Sequence, residues 1–133
     1  MKKTHTGHID RFKARLVARG FTQAPGIDYF EIFSPTVRKE SLRMLLAVVA
    51  KNGWHLHQID VNNAFLIPEL VETIYMHIPE GVKAPKGKVC KVLKGLYGLK
   101  QSARYWYKMI MTTFLKLGCQ PTRDPCLLWN EEL

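Results

Sequence analysis

The sequence contains no Asp-Asp pair anywhere in its 133 residues. Two-metal phosphoryl chemistry cannot run on one carboxylate, so that missing pair bounds what the chain can do by itself. The three cysteines, Cys90, Cys119 and Cys126, form no C-x-x-C pair, which removes the usual zinc and dithiol signatures. The opening Met1-Lys2-Lys3-Thr4-His5-Thr6 is polar and lacks the apolar stretch of a secretion signal. Reduced thiols in the cytoplasm or nucleus are expected, and a chain that is not secreted. The longest apolar run, residues 44–50, is far too short to span a bilayer, so no membrane partner is expected. The pattern G-x-x-x-x-G-K-[ST] is absent, which excludes an ATP-binding P-loop. Acidic residues are scarce: 11 Asp and Glu stand against 20 Lys and Arg, for a net charge of +9.

What is present supports one modest domain. Apolar residues make up 47%, enough to build a core. The positive excess favours an anionic partner, with nucleic acid the first candidate and a merely solvated basic surface the alternative.

Residues 1–10 read as a loose N-terminal arm ending in a turn at Gly7, and residues 11–130 as the folded region. Residues 12–18 alternate, with Phe12, Ala14, Leu16 and Ala18 on one face and Lys13, Arg15, Val17 and Arg19 on the other. That pattern predicts a half-buried strand with a basic outer face, ended by Gly20. A helix of about four turns is expected after Pro35, with Leu42, Leu45, Leu46 and Val49 on its apolar face. Ser41 or Thr36 is the expected cap and Gly53 the stop. Residues 54–61 alternate again and predict a strand that delivers Asp60 to its exposed end. Short strands are expected over residues 73–78 and 88–94, with Pro79-Glu80-Gly81 turning the first. A second helix is expected over residues 103–117, capped by Ser102 and followed by Gly118. Leu127-Leu128-Trp129 opens a further strand. The order predicts an α+β unit with an incomplete sheet.

Few residue groups point to chemistry. Asp60 has the character of a Mg²⁺ ligand, since that ion takes few carboxylates, several waters and substrate phosphates, and the Val61 carbonyl would add an oxygen. A turn-capping role is the alternative. Phe65 would floor a nucleotide pocket by bulk, or simply fill a core. Lys13, Arg15 and Arg19 would hold phosphates, or form a solvated face. Gly98 permits close backbone approach to a base or template. Tyr97, Tyr105, Trp106 and Tyr107 interleave with Lys94, Lys100, Arg104 and Lys108, as on single-strand binding surfaces. His55 and His57 have metal-ligand spacing but no third or fourth ligand.

Several blocks stand in one order along the chain. They are Phe12-Lys13-Ala14-Arg15-Leu16-Val17-Ala18-Arg19-Gly20-Phe21-Thr22-Gln23, Gly26-Ile27-Asp28-Tyr29, Phe33-Ser34-Pro35-Thr36-Val37-Arg38 and Gln58-Ile59-Asp60-Val61 with Ala64-Phe65-Leu66. Ile74-Tyr75-Met76, Pro79-Glu80-Gly81 and Leu96-Tyr97-Gly98-Leu99-Lys100-Gln101 follow. This set closely resembles the reverse transcriptase domain of copia-type LTR-retrotransposon polyproteins, over residues 7–129. The resemblance implies a partial right-hand polymerase fold of fingers and part of the palm, RNA- and DNA-templated synthesis of DNA, dNTP substrates and Mg²⁺. It implies Asp60 as the first catalytic carboxylate and Val61 as a backbone metal ligand. It implies Asn63 and Ala64 facing the triphosphate and Phe65 as the aromatic sugar gate. Lys13 and Arg15 would meet the incoming nucleotide, and the segment from Tyr97 through Gly98 to Gln101 would touch template and nucleotide.

The chain departs from that pattern in three places. Ile67-Pro68 stands where the family usually has Asn-Gly or His-Gly, and a Pro usual near Ala103 is missing. The Tyr-x-Asp-Asp hairpin, expected shortly after Trp129, is not among these residues. The expectation is therefore a fingers–palm fragment of a reverse transcriptase, inactive alone. A non-catalytic nucleic-acid-binding remnant and a relic without function are the alternatives.

Overall fold

The structure, a computed structural model, describes residues 2–12 and 14–131. It is an α+β arrangement of two helices and three separate two-stranded antiparallel ladders. The first ladder pairs β1 (Lys2–Lys3) with β2 (Ile9–Arg11) across a turn in which Gly7 has φ 85°. Residues 1–10, expected as a loose arm, thus include most of a short hairpin.

The strand expected over residues 12–18 is not found among its described residues, 12 and 14–18. They lie in no ladder and make a single parallel bridge, from Val17 to Tyr97. Phe12 is 80% exposed and Leu16 51%, so the expected inner face is not buried. Alternation shows which residues would share a face; a ladder also needs a second strand.

Helix α1 (Lys39–Asn52) has the expected length and stops at Gly53, whose φ of 66° is the left-handed stop conformation. Its cap differs from expectation. Arg38 holds the N-cap position without a side-chain hydrogen bond, and Ser41 lies inside the first turn. The acid at this end comes from Asp124. Its Oδ2 accepts from the Arg38 N–H at 3.2 Å and its Oδ1 from the Cys126 N–H at 3.0 Å. The Ser41 hydroxyl, the first cause, and these two amides hold the Asp124 carboxyl below its ordinary value. A depressed carboxyl stabilises the fold above its unfolded-state pKa and loses that contribution as pH falls through the folded value. Acidification below the ordinary carboxylate range is therefore expected to detach the 122–127 turn from α1. Asp124→Asn should remove that pH dependence, read by amide exchange at Cys126.

Residues 54–61 form no strand. They are unpaired, with Trp54 60%, Leu56 63% and Ile59 87% exposed. A 3₁₀ turn at Ala64–Leu66 follows and packs on the second helix. Strand β3 (Glu69–Met76) starts earlier than expected, directly after the buried Pro68. It pairs with β4 (Cys90–Lys94), setting Ile74 opposite Val92 and Tyr75 opposite Lys91. Helix α2 (Ser102–Lys116) matches the expected span within a residue, but Gln101, not Ser102, occupies its N-cap position. The last ladder joins β5 (Gln120–Pro121) to β6 (Leu128–Trp129), giving the expected terminal strand a partner that alternation did not reveal.

The inner face of the β3–β4 hairpin meets α2 through the Tyr105 hydroxyl, which donates to Glu72 Oε2 at 2.8 Å. Burial first, and then Glu72, push the Tyr105 phenol above its ordinary value. Buried apolar side chains are few among the described residues: Ile74, Leu99 and Cys119. The total accessible surface is 11308 Å². A compact monomer of 15.3 kDa exposes roughly 7,000 Å². Polar networks and close backbone contacts therefore carry an unusual share of the order around the site.

Candidate functional site

The site forms where residues 15–19 and the 3₁₀ turn Gly20–Thr22 meet the loop between β4 and α2. The Ala18 N–H donates to the Tyr97 carbonyl at 2.7 Å. Beside this bond the backbones of Gly20 and Gly98 touch. A Cβ on Gly98 would collide with the Ala18 carbonyl, and one on Gly20 with the Gly98 carbonyl. Gly98 also has φ 89°, a conformation that side-chain-bearing residues rarely adopt.

That junction places the Tyr97 ring between two of the expected site residues. The Arg15 guanidinium lies 5.7 Å from the ring centroid, within cation–π range. The Phe65 ring meets Tyr97 edge to face, with centroids 5.8 Å apart and planes at 77°. Phe65 is carried by the 3₁₀ turn. Asn63 enters this turn at φ 54°, and its carbonyl accepts from the Leu66 N–H at 2.8 Å. Asn tolerates this left-handed conformation better than most residues. Asn63→Gly is expected to leave stability nearly unchanged, and Asn63→Val to cost about 1–2 kcal/mol, read as a shift in urea midpoint.

The opposite end of the loop is closed by hydrogen bonds. The Ser102 hydroxyl donates to the Leu96 carbonyl at 2.8 Å and accepts the Leu96 N–H at 3.1 Å. Gln101 is fully buried. Its Nε2 donates to the Asp28 carbonyl at 2.9 Å, and its Oε1 accepts from Gln23 Nε2 at 3.0 Å. Gln23 Oε1 in turn accepts the Lys100 N–H at 2.9 Å, while the Lys100 ammonium sits 5.5 Å from the Tyr29 ring centroid. Gln101 thus ties the loop to residues 23–29.

Arg15, Phe65, Tyr97, Gly98 and Gln101 are therefore brought together, with Asn63 and Ala64 at the base of the Phe65 turn. Asp60 and Val61 do not join them through any described contact. Asp60 is exposed on the unpaired segment and makes no hydrogen bond or ion pair among the described residues, and Val61 is 40% exposed. The expected strand-end mount for Asp60 is absent, because residues 54–61 have no partner strand. Lys13 lies outside the described residues. Among the described residues no group of three or more His, Cys, Asp and Glu side chains is placed to hold a metal ion. Asp60, a single exposed carboxylate, does not fit a two-ion Mg²⁺ centre.

Sequence reasoning missed Gly20, Gln23, Asp28 and Ser102. Local pattern makes Gly20 a strand end and Ser102 a helix cap. Their contacts bridge residues as distant as Gly20 and Gly98, which no local pattern reports. A cleft of about 500 Å³ opens between Ile67, Pro68 and the Lys108–Lys116 side of α2; Tyr105 and Lys108 of the expected single-strand surface line it, but none of the residues expected to meet metal or nucleotide does. No helix among the described residues is long and apolar enough to cross a membrane.

The chain belongs to the reverse transcriptase (RNA-dependent DNA polymerase) family, whose model matches residues 1–127. Its relatives make it a copia-type member. It is 44% identical over 119 residues to the retrovirus-related Pol polyprotein from transposon RE1 of Arabidopsis thaliana, covering 88% of this chain and 8% of that protein. It is 45% identical over 134 residues to the corresponding polyprotein from transposon TNT 1-94 of Nicotiana tabacum, covering 98% of this chain and 10% of that protein. The Ty1-BL Gag-Pol polyprotein of Saccharomyces cerevisiae is 35% identical over 123 residues, with 91% of this chain and 7% of that protein covered. The chain thus spans a tenth or less of the length of these relatives. No solved structure matches it.

Proposed function

We propose that this chain is the nucleotide- and template-facing part of an RNA-directed DNA polymerase, comprising fingers and part of the palm over residues 11–130 behind an arm at 1–10. The carrying observation is the Arg15–Tyr97–Phe65 assembly around the Gly20–Gly98 junction. In this reading Phe65 is the wall that a ribose 2′-OH would strike, so dNTPs are preferred. Asn63 and Ala64 offer backbone to the triphosphate, and Arg15, with Lys13, supplies cations. Tyr97 and Gly98 touch template and nucleotide. Gln101 has its amide committed to Gln23 and Asp28, and acts by positioning this loop. Asp60 is the first metal carboxylate and Val61 its backbone neighbour.

The chain does not polymerise alone in this reading, because one exposed carboxylate cannot hold two ions a few ångströms apart. Primer extension on an RNA or DNA template, with Mg²⁺ or Mn²⁺, is expected to equal that of Asp60→Ala. Extension by the chain that disappears in Asp60→Ala would contradict this.

A further inference from the structure

From residue 81 to residue 123 the chain has no Asp or Glu and ten Lys and Arg. The remainder has ten basic and eleven acidic residues, so the whole positive excess lies in this stretch. Its first part forms β4 and the loop before it. Lys83, Lys86 and Lys88 stand exposed in that loop, and Lys91 and Lys94 on the strand. Register then decides what accompanies these charges. Ile74 and Val92 face inward, so Tyr75 and Lys91, directly opposite each other, face outward. Val71, Val89 and Leu93 share that outer face. Val71 is 85% exposed, Leu93 68%, Tyr75 60% and Val89 55%. A soluble ribbon usually turns polar residues outward; this one presents an aromatic ring and aliphatic groups rimmed by lysines.

We propose that the outer face of the β3–β4 hairpin binds single-stranded nucleic acid, with Tyr75 as the stacking platform and the lysines as phosphate contacts. This surface is separate from the Arg15–Tyr97–Phe65 assembly and rests on the nucleic-acid part of the function proposed above. The chemistry selects the partner. Unpaired bases offer flat apolar faces to a ring on an open ribbon, and each nucleotide brings a phosphate. An acidic peptide would satisfy the lysines but leave the ring and aliphatic groups without stacking partners. A second copy of the chain would set one lysine-rimmed face, with Glu69 as its one acid, against another.

The test is fluorescence anisotropy of a 5′-labelled oligo(dT) of about 12 nucleotides with the whole chain, over a salt series. Tyr75→Ala should weaken binding roughly 10-fold, while Tyr75→Phe keeps it. Removing both Lys88 and Lys91 by Ala should lower the slope of log K against log salt by about 1.4. All three positions are exposed, and far-UV circular dichroism checks that each variant keeps its secondary structure. Photolabelling with an azido-dATP at residues 95–101 reads the other site and should be unaffected by these variants. Binding unchanged in Tyr75→Ala and the double lysine variant overturns the proposal even if photolabelling succeeds. Loss of photolabelling from the unmodified chain defeats the nucleotide-site reading instead. Equal displacement of the oligonucleotide by polyglutamate, tighter binding to phosphatidylserine vesicles, or self-association through this face also overturns it.

Discussion

Gly98→Ala is expected to cost roughly 3–5 kcal/mol, a large fraction of the stability of a domain this size. Two effects add. A side chain at φ 89° strains the backbone by about 1–3 kcal/mol. The new methyl group also collides with the Ala18 carbonyl and lies 2.8 Å from the Val17 Cγ1. Neither neighbour is a flexible side-chain tip, because the first is backbone and the second sits on the bridge to Tyr97. Relief requires breaking the Ala18–Tyr97 hydrogen bond, which would release the Tyr97 ring from Arg15 and Phe65. Gly81→Ala is the matched control. Gly81 has φ 86° but nothing within 4 Å of where a Cβ would stand. It should cost only about 1–2 kcal/mol. A urea series on both variants separates strain from collision. Equal losses at the two positions would mean that the close backbone approach contributes nothing.

Gln101→Leu is the second large effect, expected to cost about 2–4 kcal/mol. The substitution keeps approximate volume but removes both polar ends of the most buried side chain. The Asp28 carbonyl and the Gln23 amide then lose their partners, at about 1–2 kcal/mol for each of these half-buried groups left unpaired. Gln101→Glu should be worse at neutral pH, because an acceptor-only carboxylate would face the Asp28 carbonyl in a buried position. Burial would raise the folded pKa of that new acid above its unfolded value. Its penalty should therefore grow as pH rises above the ordinary carboxylate range and shrink below it, where a protonated carboxyl donates to Asp28. Melting of the variant at pH 4 and pH 7 checks the sign. A loss relative to the unmodified chain that is no greater at pH 7 than at pH 4 would contradict the buried network.

The sequence carried the helices and the hairpin well. Leu42, Leu45, Leu46 and Val49 marked α1, and the Gly53 stop stands where expected, because helical spacing and a left-handed stop are local properties. The candidate site was legible in another way. Arg15, Phe65 and Tyr97 were named through family resemblance, and the structure brings their side chains into one assembly. Strands over residues 12–18 and 54–61 were misread for one common reason. Period-two alternation describes faces, and neither segment has a partner to complete a ladder. Asp124 at the start of α1 escaped notice because its hydrogen bond to Arg38 crosses 86 positions, beyond any local capping rule. The apolar face of α1 and the alternating 54–61 segment stay largely open. Leu42 and Trp54 remain 44% and 60% exposed because no described element covers them.

One physical arrangement is central to the proposed function: a tyrosine ring held between a guanidinium and a phenylalanine beside two closely approaching glycines. Photolabelling of the chain with an azido-dATP, followed by peptide mapping, tests it most directly. The expected result is labelling confined to residues 95–101 and the Phe65 turn, suppressed by unlabelled dATP and lost in Gly98→Ala. Labelling spread over the lysines of residues 81–94, or unchanged in Gly98→Ala, would contradict it.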